Sequence, residues 1–149
     1  MRQQIRFCRS SDGVRIAYAT MGAGPPLVLV NSWMTHLDLD IQSPIQRHWF
    51  KEFSRDHLLV RYDARGNGLS DRAVDTFSVD EWVRDLETVA DDMELEHFCL
   101  MGWCQGGATA ITYAVRHPER ISQLILYDSY AQGAFVQGAS QQERQEAEA

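Results

Sequence analysis

Apolar and polar positions change rhythm several times along the chain, and each change marks an element. Ile5-Arg6-Phe7-Cys8-Arg9 alternates, Ser10-Ser11-Asp12-Gly13 is turn-forming, and Val14-Arg15-Ile16-Ala17-Tyr18 alternates again. Two period-two runs around a polar turn predict an antiparallel hairpin with one buried face, Cys8 being a strand residue. Gly22-Ala23-Gly24-Pro25-Pro26 breaks the chain before Leu27-Val28-Leu29-Val30. That short, continuously apolar run is the pattern of a parallel strand covered on both faces. His57 to Tyr62, Phe98 to Met101 and Ile121 to Tyr127 read the same way. Between them lie helical patterns: one from about Pro44 to Ser54, and one opened by Ser78 with Val79, Trp82, Val83, Leu86, Val89, Ala90 and Met93 at helical spacing. A third runs from Gln105 to about Arg116 and is stopped by Pro118. A hairpin followed by alternating strands and helices predicts an α/β fold with a mostly parallel sheet.

The most informative stretch is Cys99-Leu100-Met101-Gly102-Trp103-Cys104-Gln105-Gly106-Gly107-Ala108, an apolar strand running through one tight turn into an alanine-rich helix. This is the small-x-nucleophile-x-small spacing of a nucleophile elbow, with cysteine where serine usually stands. A nucleophile on a strained turn needs small residues two before and two after it, and Gly102 and Gly106 meet that need. Cys104 would stand at a helix amino end, where free N–H groups and the helix dipole favour a thiolate. A glycine-rich turn holding a structural cysteine is the alternative.

Composition narrows the setting. The chain has 149 residues, 44% hydrophobic and 23% charged, as in ordinary globular domains. A net charge of −7 with only scattered arginines argues against nucleic-acid binding by this segment. No run approaches the roughly 18 apolar residues of a membrane span, and Met1 to Arg6 lacks a secretory apolar region, so the expected location is cytoplasmic. Three cysteines without CxxC spacing support neither a disulfide framework nor a zinc site, and no metal or cofactor is expected. Gly22 and Gly24 precede a strand and lack a third glycine, so they form a loop and no dinucleotide fingerprint.

Four motifs in order, Gly24-Pro25-Pro26 with Leu27 to Val30, Asp63-Ala64-Arg65-Gly66-Asn67-Gly68-Leu69-Ser70, Gly102 to Gly107, and His117-Pro118-Glu119-Arg120, together resemble the α/β-hydrolase fold superfamily. Tyr62 to Gly66 and Tyr113 to Arg120 look like the hydrolase-like domains of bacterial signalling proteins, which are often fused to a helix-turn-helix regulator or a nucleotide cyclase. The resemblance implies that Cys104 is the nucleophile. It also implies that the oxyanion is held by the N–H of Gln105 with that of Ser32 or Trp33, since Asn31-Ser32-Trp33 stands where many members carry His-Gly. Members usually carry the acid after a seventh strand and the histidine after an eighth, whereas this chain ends after the sixth.

Among the five histidines, His57 and His97 begin strands at the far end of the sheet, His117 ends a helix, and His48 lies within one. Only His36, after the third strand, is at the catalytic edge, as a pocket-lining or surface residue. Asp128 closes the sixth strand at that edge and is a candidate acid, or simply a polar strand end. Trp33 and Trp103 are expected to wall the pocket near Cys104. Asp63, Arg65, Gly66, Gly68 and Ser70 read as a structural turn that holds neighbouring loops together.

Ser140-Gln141-Gln142-Glu143 has capping-box spacing, yet residues 145–149 offer no apolar stripe beyond alanine. The expectation is the N-terminal part of a single hydrolase domain over 1–149, with a helix begun at about 138–149 and cut short. Its sixth strand would be an exposed edge open to self-association. Three functions stay in competition: a cysteine-dependent hydrolase of an ester, thioester or lactone, a ligand-sensing module that binds a small molecule without turnover, and a fragment without function.

Overall fold

In the computed structural model of the protein, residues 2–31 and 34–131 are described. Ser32, Trp33 and the helix expected near 138–149 lie outside them. Six strands form one sheet in the order β1-β2-β4-β3-β5-β6. The hairpin is β1 (Gln4–Arg9) and β2 (Arg15–Met21), paired antiparallel. β2 continues antiparallel onto β4 (Leu58–Asp63). From there β3 (Pro26–Val30), β5 (Phe98–Trp103) and β6 (Ile121–Tyr127) run parallel. The mostly parallel α/β sheet with an antiparallel entry hairpin expected from the sequence pattern is the one observed.

Alternating side chains of the central strands serve two cores, which is why these strands are apolar throughout. Val28, Val30, Val60, Tyr62 and Leu100 pack with Val83, Leu86 and Val89 of α3 (Val79–Asp92) and with Ala110 and Tyr113 of α4 (Gly106–Arg116). Leu27, Leu29, Leu59 and Met101 pack on the opposite face with Phe50 of α2 (Arg47–Asp56). Each fully buried aliphatic side chain contributes about 1.5–3 kcal/mol. Ser78 caps α3, its Oγ accepting the Glu81 N–H at 3.2 Å.

Two details depart from expectation. The helix placed at Pro44 to Ser54 begins only at Arg47, and a one-turn helix α1 (Leu37–Asp40) precedes it. Four residues are too few to give a periodic signal, and α1 is held by tertiary contacts. Leu37 is buried beside Ala17 and Ala19, and its N–H donates to Asp63 Oδ2 at 3.2 Å.

The two sheet edges differ. On β1, Phe7 is exposed but Arg15 lies over its ring at 4.9 Å, and Arg6 and Arg9 flank it. On β6, Leu124, Ile125, Leu126 and Tyr127 are all exposed, and the strand carries no charge. No helix among the described residues is long and apolar enough to cross a membrane.

Candidate active site

Two tight turns stand at the carboxyl ends of β4 and β5, which flank β3, and their chemistry is opposite. The turn after β4 is sealed. Arg65 is almost wholly buried, with Nε and Nη2 donating to Asp85 Oδ1 at 3.0 and 2.8 Å, and Nη1 donating to Asp12 Oδ2 at 2.8 Å and to Glu81. Its backbone N–H donates to Asp85 Oδ2 at 2.9 Å. This knot joins the β1–β2 turn, the β4 loop and α3. The sequence pattern does not single out its acidic members. The available signal is Asp85 itself, a charged residue beside Leu86 within the apolar stripe of α3. Burial works to raise the Asp12 carboxyl, but hydrogen bonds from Arg65 and the Val14 N–H outweigh it and hold the group below its usual value. Asp63 works beside the knot, its Oδ2 accepting the N–H groups of Leu37 and Leu69. Gly68 has φ +48° and sits so tightly on that carboxylate that a Cβ would collide with it. Asp63 and Arg65 thus hold neighbouring loops together.

The turn after β5 is strained and carries a thiol. Cys104 has φ +51°, a left-handed conformation uncommon outside glycine. A Cβ on Gly102 would stand 2.8 Å from Gly107 Cα and 2.9 Å from Ala110 Cβ, and one on Gly106 would enter the Val30 carbonyl oxygen. The helix after the turn can therefore cross strand and loop only because these residues lack side chains. The Cys104 N–H donates to Tyr127 O at 3.1 Å, which ties the turn to the end of β6. Parallel pairing sets Trp103 opposite Tyr127, so the residues that follow, Cys104 and Asp128, face each other. Cys104 Sγ donates to Asp128 Oδ2 at 3.9 Å. Asp128 is itself left-handed, with φ +49°, so two strained residues meet. Ser129 Oγ donates to Gly102 O at 2.7 Å and fills the space beside Gly107.

The expected thiolate is not favoured here. Burial, then the Asp128 charge, then the hydrogen bond to Asp128 all raise the Cys104 thiol above its usual value. Removing solvent and adding a neighbouring anion outweighs the helix end, because both penalise a second negative charge. Cys8 is a plain structural thiol, pushed up to about 12 by burial first and then by Asp92 and Asp85.

The remaining candidates are scattered. His36 precedes α1, its own N–H bonded to Asp40 Oδ2 and its Nδ1 buried without a partner, and it neither touches Cys104 nor lines the adjoining cavity. His117 bonds Glu87 at 2.7 Å and stacks on Tyr113, and His48 lies against Trp49. Trp103 does not wall that cavity either. Its ring packs edge-on against Trp49 and Tyr127, with centroids 5.7 and 5.6 Å away, on the α2 face. A side chain on an extended strand alternates faces, and the register puts Trp103 on the side away from α4.

The cavity beside the elbow, about 280 Å³, begins at Gln105 and Gly106 and extends to Phe77 and Trp82 on the α3 side. Gly66 makes this possible, since a Cβ there would come within 2.6 Å of the Phe77 ring. Trp82 reads as core from its helical spacing alone. Its half-buried place in the first turns of α3 is what brings it to the cavity.

Comparison with known proteins agrees with this architecture. The family model described as the alpha/beta hydrolase fold matches residues 25–147, and the chain belongs to that family. It is 30% identical over 124 residues to 2-hydroxymuconate semialdehyde hydrolase of Pseudomonas sp. (strain CF600), covering 78% of this chain and 41% of the relative. It is 27% identical to 3-oxoadipate enol-lactonase 2 of Acinetobacter baylyi (strain ATCC 33305 / BD413 / ADP1), covering 82% and 44%. Among solved structures, a hydrolase from Pseudomonas aeruginosa PA01 superposes with TM-score 0.74 at 28% identity, over 90% of this chain and 49% of that one. The chain therefore spans less than half the length of these relatives.

Proposed function

We propose that this chain carries the nucleophile half of a hydrolase acting on ester, thioester or lactone bonds, with Cys104 as nucleophile. The observation behind this reading is the strained Cys104 turn with Asp128 Oδ2 3.9 Å from Sγ. A raised thiol pKa requires a thiol that loses its proton during attack, since little preformed thiolate exists. Sγ bonds to the carbonyl carbon while its proton leaves toward the side now held by Asp128, and the oxyanion is held by the N–H of Gln105 with that of Ser32 or Trp33. Collapse of the tetrahedral species gives a thioester on Cys104, and the alcohol departs with the proton. Water then attacks the thioester, releasing the acid and restoring the thiol. Among the described residues no histidine contacts Sγ; its side-chain partner there is Asp128.

A second reading, a small-molecule-sensing module without turnover like those of bacterial regulators, is favoured by the raised thiol and by that missing contact. One experiment separates them: incubation of the full chain with phenyl acetate, followed by intact mass and phenol release. Acetylation of Cys104 and phenol release above a Cys104→Ala control support hydrolysis. Neither signal, with a folded protein, leaves the sensing module.

A further inference from the structure

Among the described residues, none that lines the cavity reaching Gln105 and Gly106, the residues that follow Cys104, bears a charge, and the nearby charges are either spent or repulsive. Asn31, Asn67 and Gln105 present amides, and Thr35 and Thr109 present hydroxyls. Tyr62 also lines it, and burial first, with the Asp85 charge second, keeps its phenol protonated. Thr35 Oγ1 is buried and has no hydrogen-bond partner among the described residues, so both its donor and its acceptor capacity are open to a ligand. The two arginines of β4 and its loop cannot serve an anion here. Arg65 is occupied by Asp85, Glu81 and Asp12, and Arg61 lies on the other face of the sheet, 3.9 Å over the Phe50 ring. Among the described residues, the ionisable group that meets the thiol is Asp128, an acid.

We infer that this cavity receives an uncharged, compact, single-ring acyl or lactone group and discriminates against anionic substrates, a specificity that rests on the hydrolase reading while its binding half can be tested alone. A carboxylate buried here would lose its water and find no cation, a cost a neutral amide, ester or lactone avoids. Phe77 and Trp82 provide aromatic surface for a ring, while the Thr35 hydroxyl meets its carbonyl or ring oxygen. At about 280 Å³ the cavity lies at the small end of ligand sites, which start near roughly 300 Å³. A single ring suits it and a long acyl chain does not.

Benzamide and benzoate differ in charge and hardly in shape, so titrating each into the full chain by ¹H–¹⁵N NMR isolates the effect. The expected result is benzamide binding at least tenfold tighter than benzoate, with shifts at Gln105, Gly106 and Trp82. Thr35→Val should weaken benzamide several-fold, and Thr109→Val serves the same purpose if the first variant melts early. Equal or tighter benzoate binding, no benzamide binding, or binding indifferent to both substitutions overturns the inference. Selective benzamide binding without phenyl acetate turnover removes the hydrolase reading and leaves the selectivity standing. Turnover with no preference for neutral ligands does the reverse.

Discussion

The Arg65 turn and the Cys104 turn are two glycine-bearing bends at the same edge of one sheet, and they spend their polar groups differently. Around Arg65 five side chains from three elements close on one another, so the buried Arg65 and the partly exposed Arg84 are matched by three carboxylates. Around Cys104 the backbone is strained, the thiol is half-buried, and one carboxylate faces it without a cation between them. A buried ionic network fixes a shape, whereas a strained turn holds one side chain at the edge of the sheet at the cost of stability. The difference teaches that conformationally similar turns can be told apart by where their hydrogen bonds end.

The comparison breaks most severely at the knot. Arg65→Ala leaves Asp85 buried without its cation and should lower unfolding free energy by about 3–5 kcal/mol, read by urea denaturation. A loss as small as that of a surface substitution would mean that the knot is not a structural clamp. Next comes Gly102→Ala at the elbow. Its Cβ would crowd Gly107 and Ala110, for about 1–3 kcal/mol and a loss of ester turnover beyond what unfolding explains. Ser78→Ala removes the cap of the helix that delivers Glu81 and Asp85 to Arg65, and should cost about 1 kcal/mol in the same denaturation assay.

Two gentler tests follow the charges. Asp12 is held below its ordinary value of 3.8, so its contribution is complete above that pH and is lost as pH falls through the lower folded value. The melting temperature of the wild type should therefore fall more steeply below about pH 4 than that of Asp12→Asn. At the elbow, Asp128→Asn removes the anion facing the thiol. Stability should change by no more than about 0.5 kcal/mol, while iodoacetamide alkylation of Cys104 at pH 7.5 becomes several-fold faster. Cys8 serves as the unreactive control in the same digest, with its thiol near 12. An unchanged Cys104 rate would show that burial alone sets the thiol.

Much of this molecule is legible in its residues because backbone demands are local. Continuous apolar runs of β-branched and leucine residues predict strands covered on both faces. Ser78 with its stripe predicts α3, and glycines two before and two after Cys104 predict a bend that side chains would obstruct. The one-turn helix α1 was hidden because four residues carry no period, and the knot was hidden because charge in a stripe says nothing about which cation meets it. The partners of Cys104 were hidden for the same reason. Asp128 lies 24 residues away, and only the parallel register of β5 on β6 makes the two neighbours. The face taken by Trp103, the approach of Trp82 and Phe77 to Gln105, and the raised thiol all depend on that packing. The sequence by itself determined the strands, the three longer helices and the strained turn. The tertiary structure alone decided which groups meet there, because contact between distant residues is set by register and crossing geometry, which no local pattern encodes.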